Sequence, residues 1–267
     1  MVETRLVSIL ILMVTFVAIV IATQVIRRRR NAFPIRSIRA YETLSPQVGA
    51  AIEANRPVHL SAGSAGLGGT NTLLALANAE LFYRVAQQAV IGATAPLVTT
   101  SDTTAIPLGY DILRRAYESR GLIRGYRSSS VRWYPAEPRS LAFAAMLTAS
   151  LGVNHVNTNV LVGSFGPELA LIADAAARHD QGLIAASDQL TGQAVAYAVS
   201  DQPLIGEEMF AAGAYLGDEA SYRAGLVTQD LLRWLLIIGL LLSGLAAVNP
   251  DVGRFLGSLL GALSGRR

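Results

Sequence analysis

The glycine-rich stretch "GSAGLGGT", residues 63–70, has the spacing of a turn that binds phosphate. It matches the P-loop pattern G-x-x-x-x-G-K-[ST] at every position except the lysine, where Gly69 stands. The chain contains no lysine, since all 22 basic residues are arginine. NTP hydrolysis needs a cationic group on the transferring phosphoryl group, so we expect none here. The backbone N–H groups of such a turn can still bind an anion, although close packing against a sheet is the interpretation that the glycines favour.

Polar residues also follow the other apolar runs, in "TTSD", "VGSFGPE" and "AASD". In an open α/β sheet, ligands bind beyond the carboxyl ends of the strands, so these residues form a candidate ligand-binding rim. The competing and individually favoured interpretation is helix capping, with Asp102 and Asp188 as N-caps and Glu168 in a first helical turn. The candidate ligand-binding residues are Ser64, Gly66, Gly68, Gly69, Thr70, Asp102, Ser164, Glu168 and Asp188.

Other catalytic and metal chemistries find little support. The chain has no cysteine and three histidines, and no G-x-S-x-G motif places a nucleophile. His59 lies in an apolar run and is typical of a core histidine. Glu207 and Glu208 fit a helix N-terminus better than a metal site. We therefore predict no catalytic residue, no metal site and no cofactor.

Apolar β-rich runs alternate with helical patterns between residues 31 and 230. This alternation predicts an α/β domain with a mostly parallel, Rossmann-like sheet of five to six strands and helices on both faces. The expected strands lie near 57–62, 96–100, 131–135, 159–163, 182–186 and 202–205. The expected helices lie near 44–55, 70–90, 104–120, 138–151, 167–179, 189–199 and 207–217.

Two apolar segments flank this domain. Residues 6–26 contain no charge and are long enough to cross a bilayer, and residues 231–248 form a second, shorter span. Four arginines at 27–30 follow the first span, so the positive-inside rule predicts a cell inner-membrane protein with its main domain in the cytoplasm. The expected division is 1–30, 31–230, 231–248 and 249–267.

The last segment, residues 249–267, is expected to be a short interfacial helix. Its glycines recur every four residues and share one helix face, which would let another helix approach closely, as in a glycine zipper. A flexible glycine-rich end is the alternative. The glycines are Gly253, Gly257, Gly261 and Gly265.

Charge is unevenly distributed along the chain. Outside residues 31–230 there are nine arginines and two acids, which give these flanking segments a net charge of +7. The membrane flanks therefore cause the basic pI of about 9.4. This distribution argues against a nucleic-acid partner. Residues 114–139 hold seven arginines, and residues 179–222 hold seven acids and no arginine. The two blocks meet either within one subunit or between neighbouring subunits. Only the contact between subunits would build a ring or an open array.

The stretches "VGSFGPELALIADAAARHD" (162–180) and "LIGEEMFAAGAYLG" (204–217), with Gln229 and Asp230, resemble an uncharacterised family of bacterial membrane proteins. This domain-of-unknown-function family is found chiefly in Chloroflexota. The resemblance implies membrane anchoring and carries no catalytic residue over to this chain.

These observations together predict a membrane-anchored scaffold without catalysis. It would contact the lipid bilayer, form a homo-oligomer through its charged faces and its glycine face, and accept other membrane proteins as possible partners. The first alternative is a sensor that binds an anion, nucleotide or sugar at the strand ends. The second is an enzyme acting on a phosphorylated or sugar-like substrate.

Overall fold

The computed structural model describes residues 2–28, 36–136, 140–217 and 220–248. The chain divides into two compact units, one formed by residues 1–35 with 219–267 and the other by residues 36–218. We call these the helical unit and the α/β unit. The tail predicted at 249–267, with its repeated glycines, lies outside the described residues.

The α/β unit contains one six-stranded sheet in which every strand pair is parallel. The strand order is β3-β2-β1-β4-β5-β6, which is the order of doubly wound nucleotide-binding folds. Sequence periodicity therefore predicted the fold class correctly, at the upper end of the expected strand number. The strands are β1 (Val58–Gly63), β2 (Leu97–Thr100), β3 (Val131–Trp133), β4 (Thr158–Ser164), β5 (Gly182–Ser187) and β6 (Gln202–Pro203).

The helices alternate with these strands as expected. Most begin and end within about two residues of the predicted bounds, but α2 starts at Arg39 and so includes Pro46 in its interior. The segment expected as one helix at 207–217 is a 3-10 turn, Gly206–Phe210, followed by a short α-helix. The helices of the α/β unit are α2 (Arg39–Glu53), α3 (Thr72–Ala89), α4 (Ile106–Ser119), α5 (Ser140–Val153), α6 (Leu169–Arg178), α7 (Leu190–Val199) and α8 (Ala212–Leu216).

The two central strands, β1 and β4, approach each other closely at their carboxyl ends. Their register shifts between Ser61 and Gly63, and a Cβ added to Gly163 would lie 2.0 Å from the carbonyl oxygen of Ala62. Gly63 has a φ of +59°, and its own added Cβ would lie 2.3 Å from the Ser164 carbonyl oxygen. Glycine is therefore required on both strands at this crossing.

A buried polar network crosses the middle of the sheet. The His59 ring lies 2.9 Å from Asn159 Oδ1 and 2.8 Å from Thr99 Oγ1, and Thr99 Oγ1 lies 2.9 Å from Ser61 Oγ. Asn159 Nδ2 in turn donates to Gln181 Oε1 at 3.0 Å. His59 is fully buried, as the apolar run around it predicted. Burial lowers the pKa of His59 to about 4, and the nearby Arg132 charge acts in the same direction, while the hydrogen bond with Asn159 opposes them.

The first and last residues of the α/β unit are joined by a cluster that we call the terminal clamp, formed by Arg36, Tyr41, Glu208 and Tyr215. Arg36 pairs with Glu208 Oε1 at 2.7 Å, and the Tyr41 hydroxyl donates to the Glu208 carbonyl at 2.6 Å. The Tyr41 and Tyr215 rings stack at 5.0 Å, and the Tyr215 hydroxyl donates to the Arg36 carbonyl. The clamp thus holds both ends of the unit at one place.

The helical unit consists of α1 (Val2–Arg28) and α9 (Ala220–Val248), which pack against each other. Ala22, Ile26 and Ala224 are buried in their contact. The first predicted span lies within α1, whereas α9 begins at Ala220 rather than at residue 231. Among the residues described, Ala220–Leu241 is a helical window long and apolar enough to cross a membrane.

Candidate functional site

The candidate site lies where the strand order reverses, between the carboxyl ends of β1 and β4. The chain leaves β1 toward β2 on one side of the sheet, whereas β4 is followed by β5 on the other side. Doubly wound folds bind their ligands in the crevice that this reversal opens. The glycine-rich turn after β1 and the loop from Ser164 to Glu168 border this crevice, so several predicted site residues come together here.

The glycines of the turn have different structural roles. Gly66 packs against Asp102, whose carboxyl carbon would lie 2.2 Å from an added Cβ. Gly68 has a φ of +93°, which favours glycine. Gly69, at the lysine position of the P-loop pattern, has open space around it and a conformation that any residue can adopt. Close packing therefore accounts for Gly63, against β4, and for Gly66, against Asp102 in the loop after β2, but not for Gly69.

Thr70 points along the turn and donates to Asn71 Oδ1 at 3.2 Å. Asn71 precedes α3 without a side-chain cap on that helix, and the Thr72 hydroxyl accepts from Gly68 N–H at 3.0 Å. Hydrogen bonds within residues 68–72 thus order the exposed end of the turn. The first turn of α3 has no side-chain cap. Such a helix end can interact favourably with an anion.

Ser164, at the end of β4, connects the two sides of the crevice. Its carbonyl accepts from the backbone N–H of Ser64 at 2.9 Å and from the Ser64 hydroxyl at 3.1 Å. Its own hydroxyl accepts from Gln189 Nε2 at 3.0 Å and from Asn71 Nδ2 at 3.5 Å. The structure therefore brings Ser64 and Ser164 together, as the position of both at strand ends predicted, and adds Asn71 and Gln189 to them.

Glu168 is the buried acid of the site. Its side chain bends back so that Oε1 accepts from the Gly166 N–H at 2.7 Å, and the residue is 8% exposed. The other oxygen, Oε2, is buried and has no hydrogen-bond donor among the described residues. Glu168 was expected in the first turn of α6, but that helix begins at Leu169; Glu168 stands at its N-cap, and its carboxylate does not cap the helix. A buried carboxylate oxygen without a donor is costly, so this atom has an unmet requirement for a ligand or a solvent molecule.

The two aspartates of the rim differ from each other. Asp102 caps the 3-10 turn Thr103–Ala105 through a 2.7 Å hydrogen bond from Thr104 N–H, which confirms the capping interpretation for this residue. For Asp188 that interpretation is wrong, because α7 begins one residue later than a cap at 188 requires and has Gln189 at its N-cap. Asp188 is exposed and its side chain makes no hydrogen bond with the residues that the structure describes.

A second unsatisfied polar group lies deeper in the fold. Asn78 of α3 is 1% exposed, and neither polar atom of its amide has a hydrogen-bond partner within the described ranges. It lines a small cavity between α3, α4 and the sheet, together with Phe82, Val98 and Ile112. The cavity has room for about one water molecule, which the amide could bind on both its donor and acceptor sides.

Of the paired acids after β6, Glu208 has a structural role. Glu208 Oε2 accepts from the backbone N–H of Ile205 at 2.9 Å at the start of the 3-10 turn, and its other oxygen binds Arg36. Within the described ranges, no group of three or more histidine or acidic side chains is close enough to hold a metal ion.

Sequence reasoning missed Asn71 and Gln189, which complete the crevice. Each directly follows a rim residue that was named, Thr70 and Asp188 respectively, so the loops were identified and the particular residues were not. Neutral amides carry no strong sequence signal, because they are common in all turns.

One comparison with known proteins gave a match. A family described as a domain of unknown function (DUF6754) matches residues 1–253. No curated protein and no solved structure matched the chain.

Proposed function

The chain belongs to the DUF6754 family, and we propose that it is a membrane-anchored α/β protein that associates with further copies of itself as a non-catalytic scaffold. The observation that carries this proposal is the position of its two charged blocks. The described arginines of the first block, from Arg114 to Arg132, lie on α4, on β3 and in the segment between them, at one end of the sheet. The described acids of the second block, from Asp180 to Glu208, flank β5 and β6, at the other end.

Complementary charges at opposite ends of one sheet cannot neutralise each other within a subunit. They can meet when the β3 end of one copy contacts the β6 end of the next, which is a head-to-tail contact. Such a contact repeats from copy to copy and produces a ring or an open array. Opposite charges on the two surfaces would also steer the encounter between copies.

Both ends of the sheet also expose apolar side chains. Trp133 is 45% exposed on β3, and Leu122 and Ile123 are exposed in the segment before this strand. Leu190 is 86% exposed at the start of α7, and Tyr197 is exposed on the same helix. Interfaces commonly combine aromatic and aliphatic contacts with a charged rim, so these residues support the same two contact surfaces.

The basic block contains two kinds of arginine. Arg114 and Arg115 form ion pairs on their own helix, with Glu118 at 2.9 Å and Asp111 at 2.8 Å respectively. Arg124 and Arg127 are exposed, and neither forms an ion pair with the described residues. The second pair is therefore the better choice for a contact with another subunit.

We expect the detergent-extracted protein to be larger than a dimer at low salt and to dissociate as salt rises, because exposed charge pairs are screened. Changing Arg124 and Arg127 to glutamate should reduce the assembly to its smallest unit. Changing Asp180 and Asp188 to arginine in that variant should restore it. Sedimentation velocity in a density-matched detergent measures the size at each salt concentration.

The matched control for this experiment is Arg56→Glu, which makes the same change of charge in the loop between α2 and β1, away from both sheet ends. It should leave the assembly intact. A monomer at low salt, or an assembly whose size does not change on charge reversal, would contradict the scaffold proposal and favour the ligand-binding sensor.

We also propose that the protein crosses the cell inner membrane twice, with the α/β unit in the cytoplasm, because arginines follow the first apolar segment. The chain has no cysteine, so single cysteines can be introduced without background labelling. A cysteine at exposed Ser129 should resist an impermeant maleimide added to intact cells and react after permeabilisation. Labelling of Ser129→Cys in intact cells would reverse this orientation.

The second candidate function is a ligand-binding sensor at the rim. It is favoured by one observation, the buried Oε2 of Glu168 after β4, which has no hydrogen-bond partner in the part of the chain that the structure describes. Ligand binding does not conflict with a scaffold, since the crevice is made by the central strands and the charged blocks lie toward the two ends of the sheet, although Asp188 belongs to both the rim and the acidic block.

A further inference from the structure

We propose that a second copy of this chain packs on the outer face of α5 and α6, related to the first by a two-fold axis that crosses both helices. This contact is separate from the head-to-tail contact between the sheet ends, so the inference goes beyond the scaffold proposal. It starts from an apolar helix face that the described residues leave uncovered.

Helix α5 is apolar on its exposed face as well as on its buried face. It contains no charged residue. Phe143 and Leu147 are buried in the core, whereas Leu141, Met146 and Val153 are 57%, 43% and 79% exposed. An exposed apolar surface that continues along a whole helix commonly marks a contact with another protein or with a membrane.

Helix α6 packs beside α5 and adds a pair of opposite charges to this face. Asp174 and Arg178 are one helical turn apart, each is more than half exposed, and they form an ion pair with each other. When a second copy of α6 lies antiparallel across the first, Asp174 of each copy faces Arg178 of the other. The face is therefore complementary to itself in charge, which is the property that a two-fold contact requires.

The same axis crosses α5 at a small residue. On α6 it passes midway along the ion pair, at the level of Ala176. At the ends of the two helices, a Cβ added to Gly152 of α5 would lie 3.0 Å from Nε2 of His179, which follows α6. Three residues back from this contact, Ala176 is level with Ala149 on α5. Ala149 is exposed and small, so two copies of α5 can approach each other closely there.

The residues on either side of this crossing are matched in size. The axis places Ala145 of one copy opposite Val153 of the other, because each is four residues from Ala149. Ala145 is small and exposed, whereas Val153 is larger and projects into solvent. A large side chain that faces a small one lets the surfaces of two helices interdigitate.

A lipid bilayer fits this face less well than a second copy. Helices that lie on a bilayer surface carry lysine or arginine beside their apolar face. Helix α5 carries no basic residue, and the one arginine of α6 is paired with Asp174. The charge pattern therefore favours another copy of the chain over lipid.

Disulfide cross-linking of the full chain in native membranes tests the proposal, because the chain has no cysteine of its own. Ala149→Cys should link two copies on mild oxidation, since the axis brings these residues together. Ala142→Cys is the matched control, exposed on the same face of α5. Its two copies would lie about 21 Å apart along the helices, at about 1.5 Å of rise per residue, which is too far for a disulfide. We expect the yield of linked dimer to be about tenfold higher for Ala149→Cys, or more.

Charge reversal on α6 tests the two-fold arrangement in the Ala149→Cys chain. Asp174→Arg and Arg178→Asp should each lower the yield about tenfold, because like charges then face each other across the axis. Co-expression of the two variants with different tags should restore the link, and only between the two kinds of chain. Changing Arg124 and Arg127 to glutamate should leave the yield unchanged, since that change acts on the head-to-tail contact.

Three results would overturn the proposal. They are the absence of a link at Ala149, equal links at Ala149 and Ala142, and a yield that charge reversal on α6 does not change. In the first case, a link to a different polypeptide, or lipid-dependent fluorescence of a dye attached to the cysteine, identifies the other occupant of the face. The scaffold proposal can fail in its own salt and charge tests while this contact stands. The circular dichroism of each variant shows whether it is folded.

Discussion

Replacing Gly163 with alanine should destabilise the α/β unit by about 3 kcal/mol or more, a large part of the stability of an ordinary domain. The added Cβ would lie 2.0 Å from the carbonyl oxygen of Ala62 on the neighbouring strand. That carbonyl also accepts from the Ala65 N–H at 3.1 Å, so it is held on both sides. Because β1 and β4 are the two central strands, the sheet cannot move one of them without disturbing its neighbours.

Chemical denaturation followed by the fluorescence of Trp133 measures this effect, in a Trp234→Phe background that removes the second tryptophan. Gly49→Ala is the matched control. Gly49 lies in α2 with nothing within 4 Å of an added Cβ, so alanine there should stabilise the unit by about 1 kcal/mol. Equal stability of the Gly163 and Gly49 variants would show that the β1–β4 contact is looser than described.

Lowering the pH should destabilise the α/β unit through His59. Its pKa is 6.5 as a free side chain and about 4 in the folded protein, chiefly because of burial. The unfolded chain therefore binds a proton more readily than the folded one between these values. The stabilisation that comes from keeping His59 neutral is complete above pH 6.5, falls as the pH drops, and is lost by about pH 4. At about 1.4 kcal/mol per pKa unit, the loss amounts to about 3 kcal/mol.

The variant His59→Gln removes the titrating group and keeps a side chain that can hydrogen-bond with Asn159 and Thr99. It should be less stable than the native chain at pH 7.5, and its stability should change much less between pH 7.5 and pH 5. His155→Asn is the control, because His155 is exposed and its φ of +50° is tolerated by asparagine. That variant should retain the native pH dependence. A pH dependence that persists in His59→Gln would assign it to other groups.

The sequence predicted the fold well because β1, β2, β4 and β5 are almost wholly buried and form continuous, mostly apolar runs, while the helices between the strands are amphipathic or apolar over their whole length. These patterns have two distinct periods, and they located all six strands. The strand order was beyond reach, since it depends on contacts between residues far apart in the chain. Leu60 pairs with both Val98 and Val160, and no local pattern specifies either partner.

The candidate site was predicted as a set of loops rather than as an arrangement. Ser64, Ser164 and Glu168 come together because parallel strands end at one edge. The sequence did not reveal that Glu168 would turn back to the Gly166 N–H, nor that α7 would start after Gln189 and leave Asp188 exposed. Both depend on side-chain orientation within a turn, where the backbone and the side chain compete for the same few hydrogen-bond groups.

The terminal clamp has a consequence for chain connectivity. Because the Tyr215 hydroxyl binds the carbonyl of Arg36, the chain enters and leaves the α/β unit at a single place. In sequence, this unit is an insertion between two helices that pack against each other. Domains whose termini are adjacent can be transferred between proteins or permuted without breaking their sheet. Mechanical tension between the two helices would likewise load the Arg36–Glu208 ion pair and the tyrosine stack before it reached the strands.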